Sequence, residues 1–195
     1  MVKRVFIVHG WGGNPDAGWF KWINSELSSR GFEVHADRMP EPDNPKIEPW
    51  VNYLTKLASS PDKDTYFIGH SIGCQAILRY LEKLPENAKI GGAIFVAGWL
   101  NLKNLETREE KDVSEPWIKS KINLGKVKNK IGKVVALFSD NDPYVSLDDS
   151  IIFKEKLGAK IIIEKNKGHY IEHETFKIPV LLKEFIKLTK WQKKS

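Results

Sequence analysis

At 195 residues, with 41% hydrophobic and 11% aromatic side chains, the chain carries enough apolar mass for one packed core, is short for two, and is not disordered. Lysine and arginine outnumber aspartate and glutamate by 31 to 25, a mildly basic balance of +6. No apolar run approaches the ~20 residues of a membrane span, and the lone Cys74 allows no intrachain disulfide, which suits a reducing, cytoplasmic setting.

The predicted elements alternate short apolar runs with amphipathic stretches, the pattern of a parallel sheet wrapped by helices. The first strand spans Arg4 to Val8; its apolar run is too short for a signal-peptide core and is interrupted by His9 and Gly10. A helix follows from Asp16 to Arg30, with Trp19, Trp22, Ile23 and Leu27 on one face and Gly31 as its stop. Phe32 to Arg38 reads as a weaker strand. Asn44-Pro45 reads as the cap and first turn of a helix carrying Ile47, Val51, Leu54 and Leu57. Thr65 to Gly69 is the third strand, followed by a helix with Ile77, Leu78 and Leu81, within which Cys74 is expected to pack. Strands at Ile90 to Ala97, Lys133 to Phe138 and Lys160 to Ile163 follow, with helices over Leu147 to Leu157 and Thr175 to Lys190.

Between Trp99 and Gly132 the periodicity fades, and only a short helix and loops are expected there. Stretches of this length are usually functional or mobile. From Pro116 to Lys133 there are six lysines and no acid, and Lys190, Lys193 and Lys194 crowd the C-terminus. A nucleic-acid footprint calls for arginines and interleaved aromatics. This stretch has neither in quantity, so it reads as solvated surface, with no nucleic acid or membrane expected as partner.

Gly69-His70-Ser71-Ile72-Gly73 sits between a strand and a helix, the context of a nucleophile elbow. In that turn the serine takes a strained backbone conformation, the flanking glycines provide room, and the hydroxyl projects at the positive end of the next helix. The pentapeptide alone also occurs by chance, so partners must decide. A serine hydroxyl needs a base, itself oriented by an acid, and in this architecture they follow in the order Ser, Asp or Glu, His. The fifth strand runs into Ser139-Asp140-Asn141-Asp142-Pro143, the sixth towards Gly168-His169-Tyr170. Asp142, three residues before an anchoring Val145, is preferred as the acid over Asp140, which could cap the turn. His169 is preferred as the base. His35 has no evident partner, His70 should point away from the nucleophile, and His173 should lie in or near the last helix.

An oxyanion hole requires two backbone N–H groups, one from Ile72 and one from the His9-Gly10-Trp11-Gly12-Gly13 loop, where Gly10 and Trp11 are the candidates. That loop has neither a Gly-Lys-Ser/Thr ending nor Gly-x-Gly-x-x-Gly spacing, so no nucleotide, and no cofactor or metal, is expected. In a doubly wound sheet the first and third strands are neighbours, and their carboxyl ends border the crevice where ligands bind. Both glycine-rich loops fall there.

These motifs, with Val8-His9-Gly10-Trp11, Met39-Pro40 and the prolines before Trp50, Gly69 to Cys74, Phe95-Val96-Ala97-Gly98, Ser139 to Pro143 and Gly168-His169-Tyr170, resemble the small serine hydrolases related to retinoblastoma-binding protein 9. The resemblance spans nearly the whole chain. It implies a six-stranded, mostly parallel α/β-hydrolase domain (order 2-1-3-4-5-6, helices on both faces, minimal lid) and a triad of Ser71, Asp142 and His169. The expectation is one domain over residues 1–195 that cleaves a small or short-acyl ester, or an amide, through an acyl-enzyme. Trp11, Trp99 and Trp117 are candidates to line the substrate pocket. The alternative is a protein-binding member of the fold with little or no catalysis.

Overall fold

The sheet forms where the sequence is most densely apolar. The computed structural model describes residues 2–190, so Lys193 and Lys194 lie outside it. Its elements are β1 (Arg4–Val8), α1 (Gly18–Ser28), β2 (Glu33–His35), α2 (Ile47–Leu57), β3 (Thr65–His70), α3 (Ile72–Lys83), β4 (Ile90–Val96), α4 (Arg108–Lys119), α5 (Leu124–Lys130), β5 (Ile131–Ser139), α6 (Asp148–Leu157), β6 (Lys160–Glu164) and α7 (Pro179–Thr189). The six strands pair in the order β2-β1-β3-β4-β5-β6, each neighbour parallel. The central strands are buried on both faces, as parallel sheets require, whereas the edge strands β2 and β6 are partly exposed.

Strand alternation distributes the helices. Tyr66 meets Phe185 of α7, while its neighbour Phe67 meets Tyr80 of α3 on the opposite face. Trp19 and Phe20 of α1 pack against His70, on the α7 side, and Phe153 of α6 meets Phe95 and Phe138 on the α3 side. The chain therefore leaves β1 towards one face and β3 towards the other, opening the crevice between their carboxyl ends. No helix among the described residues is long and apolar enough to cross a membrane.

Several local expectations are corrected. Asn44 does not cap a helix: its N–H closes a turn onto the Glu41 carbonyl, and α2 starts at Ile47 with Lys46 at its N-cap. β2 is only three residues long, because the chain then leaves the sheet to place the Met39 N–H on His9 Nε2 at 2.8 Å. α7 begins at Pro179, so His173 lies in the turn before it. His35 does have partners, stacking on Phe6 at 4.8 Å with Nε2 2.9 Å from Glu33 Oε1.

The weakly patterned segment contains two helices rather than one. α4 opens with a capping box in which the Thr107 side chain accepts from the Glu110 N–H and the Glu110 carboxylate reaches back to the Thr107 N–H. α5 returns the chain to the base of the sheet. The lysine run is not wholly solvated either: Lys130 is buried, and its ammonium donates to the Glu82 and Leu84 carbonyls at the end of α3. A cation there satisfies carbonyls that the helix leaves unpaired.

Asp149, in the first turn of α6, is buried with Oδ2 unpartnered among the described residues. Burial pushes its carboxyl up to about 6, outweighing the Leu100 and Asn101 N–H groups that favour its charge. An acid raised on folding adds stability that is complete below its unfolded value of 3.8 and is lost as pH climbs through about 6. The Tm of the wild type minus that of Asp149→Asn should therefore fall between about pH 4 and about pH 7. Thermal melts at a series of pH values check this; a pH-independent difference contradicts it.

Candidate active site

The turn from β3 into α3 places Ser71 at φ 51° and ψ −123°, a strained region for a residue with a Cβ. Its backbone is held by the Ser71 N–H donating to the Val96 carbonyl at 2.9 Å and by the Cys74 N–H on the Ser71 carbonyl at 3.0 Å. The turn tolerates no side chain at its flanks. A Cβ on Gly73 would lie 2.5 Å from the Val8 and His9 carbonyl oxygens, and one on Gly69 would lie 2.7 Å from Ile77 Cδ1. Close packing of α3 on β1 thus depends on glycine here. Cys74 itself is buried, its thiol on the Val96 carbonyl, and burial pushes the thiol up. It is a packing residue.

His169 Nε2 lies 2.9 Å from Ser71 Oγ, and His169 Nδ1 lies 2.8 Å from Asp142 Oδ2. Asp142 is buried, and its other oxygen accepts from the Tyr144 and Val145 N–H groups at 2.9 and 3.0 Å. Both carboxylate oxygens are therefore engaged, and the side chain cannot turn. Asp140 instead accepts from the Asn166 N–H. The structure thus brings Ser71, His169 and Asp142 into one hydrogen-bonded chain and leaves Asp140 and His173 outside it.

His70 points away from Ser71 Oγ, but it is not idle. Burial, reinforced by the neighbouring His169, pushes it down to about 3, so the ring is neutral. Its Nε2–H donates to the His169 carbonyl at 2.7 Å, tying the elbow to the loop that carries the imidazole. His9 is also buried and pushed down by burial. Because its Nε2 accepts from Met39, its Nδ1–H donates to the Gly10 carbonyl at 2.7 Å and steadies the first glycine loop. In that loop the Gly12 and Gly13 N–H groups are spent on the Pro42 and Gly10 carbonyls. A Cβ on Gly10 would sit 2.9 Å from His70 Nδ1, so glycine lets the loop approach the elbow.

These groups border a cavity of about 300 Å³ lined by Trp11, Ile72, Trp99, Leu102, Tyr144 and Ile171. Trp11 and Trp99 both line this cavity. Trp99 does more than line: its indole N–H donates to Ser71 Oγ at 3.3 Å. Trp117 is not in this cavity. It is buried edge-on against Trp50, its indole N–H donating to the Pro45 carbonyl, because α4 folds back onto α2. Sequence reasoning missed Tyr144, which stands edge-on to His169 at 5.3 Å, and the cover contributed by Leu105, Glu110 and Ser114. The Thr107-x-x-Glu110 capping signature marked that cover.

A family model described as serine hydrolase matches residues 5–180. The YdeN protein of Bacillus subtilis is 29% identical over 176 residues, covering 90% of each chain. Serine hydrolase RBBP9 of Rattus norvegicus is 26% identical over 188 residues, 94% of this chain and 95% of the relative. The crystal structure of the YdeN product superposes with a TM-score of 0.87 at 25% identity, covering 97% of this chain and all of that one. With a family match over most of its length and an α/β-hydrolase fold around the elbow, the chain belongs to the serine hydrolase family and is a hydrolase.

Proposed function

We propose that the protein cleaves small or short-acyl esters, and amides of similar size, through an acyl-enzyme on Ser71. The observation that carries this reading is the unbroken chain from Asp142 through His169 to Ser71 Oγ, opening on a small apolar cavity. With Nδ1–H held by Asp142, His169 Nε2 accepts the Ser71 proton as Oγ attacks the carbonyl carbon. The tetrahedral oxyanion is received by the Trp11 N–H and by the Ile72 N–H at the start of α3, where the helix dipole favours negative charge. His169 then passes the proton to the leaving oxygen or nitrogen, and water attacks the acyl-enzyme with His169 again as base. Trp99 holds the hydroxyl in the attacking rotamer from the far side. Labelling by a fluorophosphonate probe tests the reading: wild type should label and Ser71→Ala should not, and equal labelling of the two would reject it.

The cavity volume stands at the lower limit of ligand sites. Its walls are largely aromatic and aliphatic, no lysine or arginine among the described residues lines it, and Glu110 and Glu172 are among its lining residues. Uncharged short acyl groups match this lining, while an anionic acyl chain meets like charge. Across a p-nitrophenyl series, kcat/KM is expected to be highest for acetate to butyrate and to fall for long chains. Faster turnover of palmitate than butyrate would overturn this assignment.

A further inference from the structure

Four consecutive side chains at the end of β5 meet four consecutive residues of the loop that delivers the base. Asp140 Oδ1 accepts from the Asn166 N–H at 2.8 Å, Ser139 Oγ from the Lys167 N–H at 2.9 Å, and Asn141 Oδ1 from the Gly168 N–H at 2.8 Å. Asp142 Oδ2 completes the set on His169 Nδ1. The Ser139 hydroxyl also donates to Asn141 Oδ1 at 2.8 Å, so a single amide oxygen receives two donors and couples two rungs.

Apart from the His70 ring on the His169 carbonyl and the Tyr170 N–H on the Lys167 carbonyl, the loop has little else to fix it. No residue from Lys165 to His169 is buried, so apolar packing does not anchor it. Its backbone also enters the left-handed region, freely at Gly168 (φ 53°) but with strain at Asn166 and at the following Tyr170, both at φ 55°. Strained backbone of this kind persists only where surrounding contacts over-determine it. Beyond His169 the chain is held by buried bonds, with the Trp19 indole N–H on the Tyr170 carbonyl and the Tyr170 hydroxyl on the Phe138 carbonyl. Before His169, the side chains of residues 139–141 provide the fixation.

We propose that Ser139 and Asn141 are positioning residues for His169, acting through the backbone of residues 167–168; this rests on the reading of His169 as the base. They touch neither substrate nor Ser71. Their part is to keep the imidazole within reach of Oγ and in line with Asp142, where a displacement of about 1 Å costs on the order of 100-fold in rate.

The test uses the full-length protein and p-nitrophenyl butyrate. Asn141→Ala should lower kcat by about 10- to 100-fold with KM changed less than about threefold. Fluorophosphonate labelling should slow by a similar factor, and the melting temperature should move little because the loop is exposed. Asn141→Asp keeps an oxygen for the Gly168 N–H, so it should recover most of kcat. The added carboxylate should also move the acid limb of the kcat–pH profile to higher pH. Wild-type kcat in Asn141→Ala, equal losses in both variants, or a loss confined to KM would each overturn the proposal. If Asn141→Ala does not fold, Ser139→Ala decides through the same kcat-against-KM split. The two readings fail separately: if Ser71→Ala labels like wild type, the Ser71 mechanism falls. If Ser71→Ala is silent while Asn141→Ala keeps wild-type rates, only the positioning role falls.

Discussion

Ser71→Ala is expected to lower kcat/KM for a short-chain ester by about 10⁴- to 10⁶-fold while leaving the fold intact. The loss is this large because nucleophile and base act as a unit: without Oγ there is no covalent route, and His169 has nothing to deprotonate. On the proposed mechanism, the residual rate is what binding and the two N–H groups at Trp11 and Ile72 would supply to attack by water. Folding should survive because alanine keeps the Cβ, and the elbow is set by backbone bonds to Val96 and Cys74. The structural cost is the Trp99 indole N–H, which loses its acceptor in a buried site. A buried donor left unpaired costs about 1–3 kcal/mol. Steady-state kinetics with a thermal melt check both halves. A variant within tenfold of wild type would remove Ser71 from the mechanism.

Asp142→Asn is expected to be nearly as severe, about 10⁴-fold in kcat, with a nearly unchanged fold. The geometry dictates the outcome. Asp142 Oδ1 accepts from the Tyr144 and Val145 N–H groups, so an asparagine places its amide oxygen there and turns its NH₂ towards His169. An amide donor facing Nδ1 drives the imidazole to the tautomer with hydrogen on Nε2. That nitrogen can no longer accept the Ser71 proton. Asp142→Ala tests the same step less cleanly, since it also strands two backbone donors. Retention of wild-type kcat in Asp142→Asn would show that the carboxylate does not set the imidazole tautomer.

How legible the molecule was in its sequence varied with the physics that fixed each part. β1, β3, β4 and β5 are apolar runs because both faces of a parallel sheet are buried, so composition alone located them. The neighbouring of β1 and β3 follows from a doubly wound sheet and brings the two glycine-rich loops together, while the full strand order came from the family resemblance. Ser71, Asp142 and His169 could be picked because each follows a strand end in a fixed order. The segment from residue 99 to 132 was obscure for the opposite reason: α4 is mostly solvent-facing, and Pro116 interrupts its helical pattern. Trp117 was misplaced because its partner, Trp50, lies on a distant helix, and no local spacing reports that pairing. Lys130 looked solvated for the same reason, whereas one partner of His35, Glu33, sits two residues away on the same strand and was within reach of local reasoning. The ladder from residues 139–141 to 166–168 joins polar residues to main-chain N–H groups, which carry no side-chain signature.

The excursion between β4 and β5 has a use that follows from its two unequal halves. Its return arm, α5, packs on α3 and is locked by buried Lys130, so it belongs to the scaffold. Its outward arm supplies Leu102, Leu105, Glu110 and Ser114 to one wall of the cavity, and none of these bonds to Ser71, His169 or Asp142. The Lys103 N–H and the Asn104 amide donate to the Tyr144 and Pro143 carbonyls of the Asp142 loop, so the exchangeable part of that arm begins beyond Asn104. Redesigning it, with Trp117 kept as its hinge pin on α2, offers a route to new acyl selectivity without disturbing the bond-breaking machinery below.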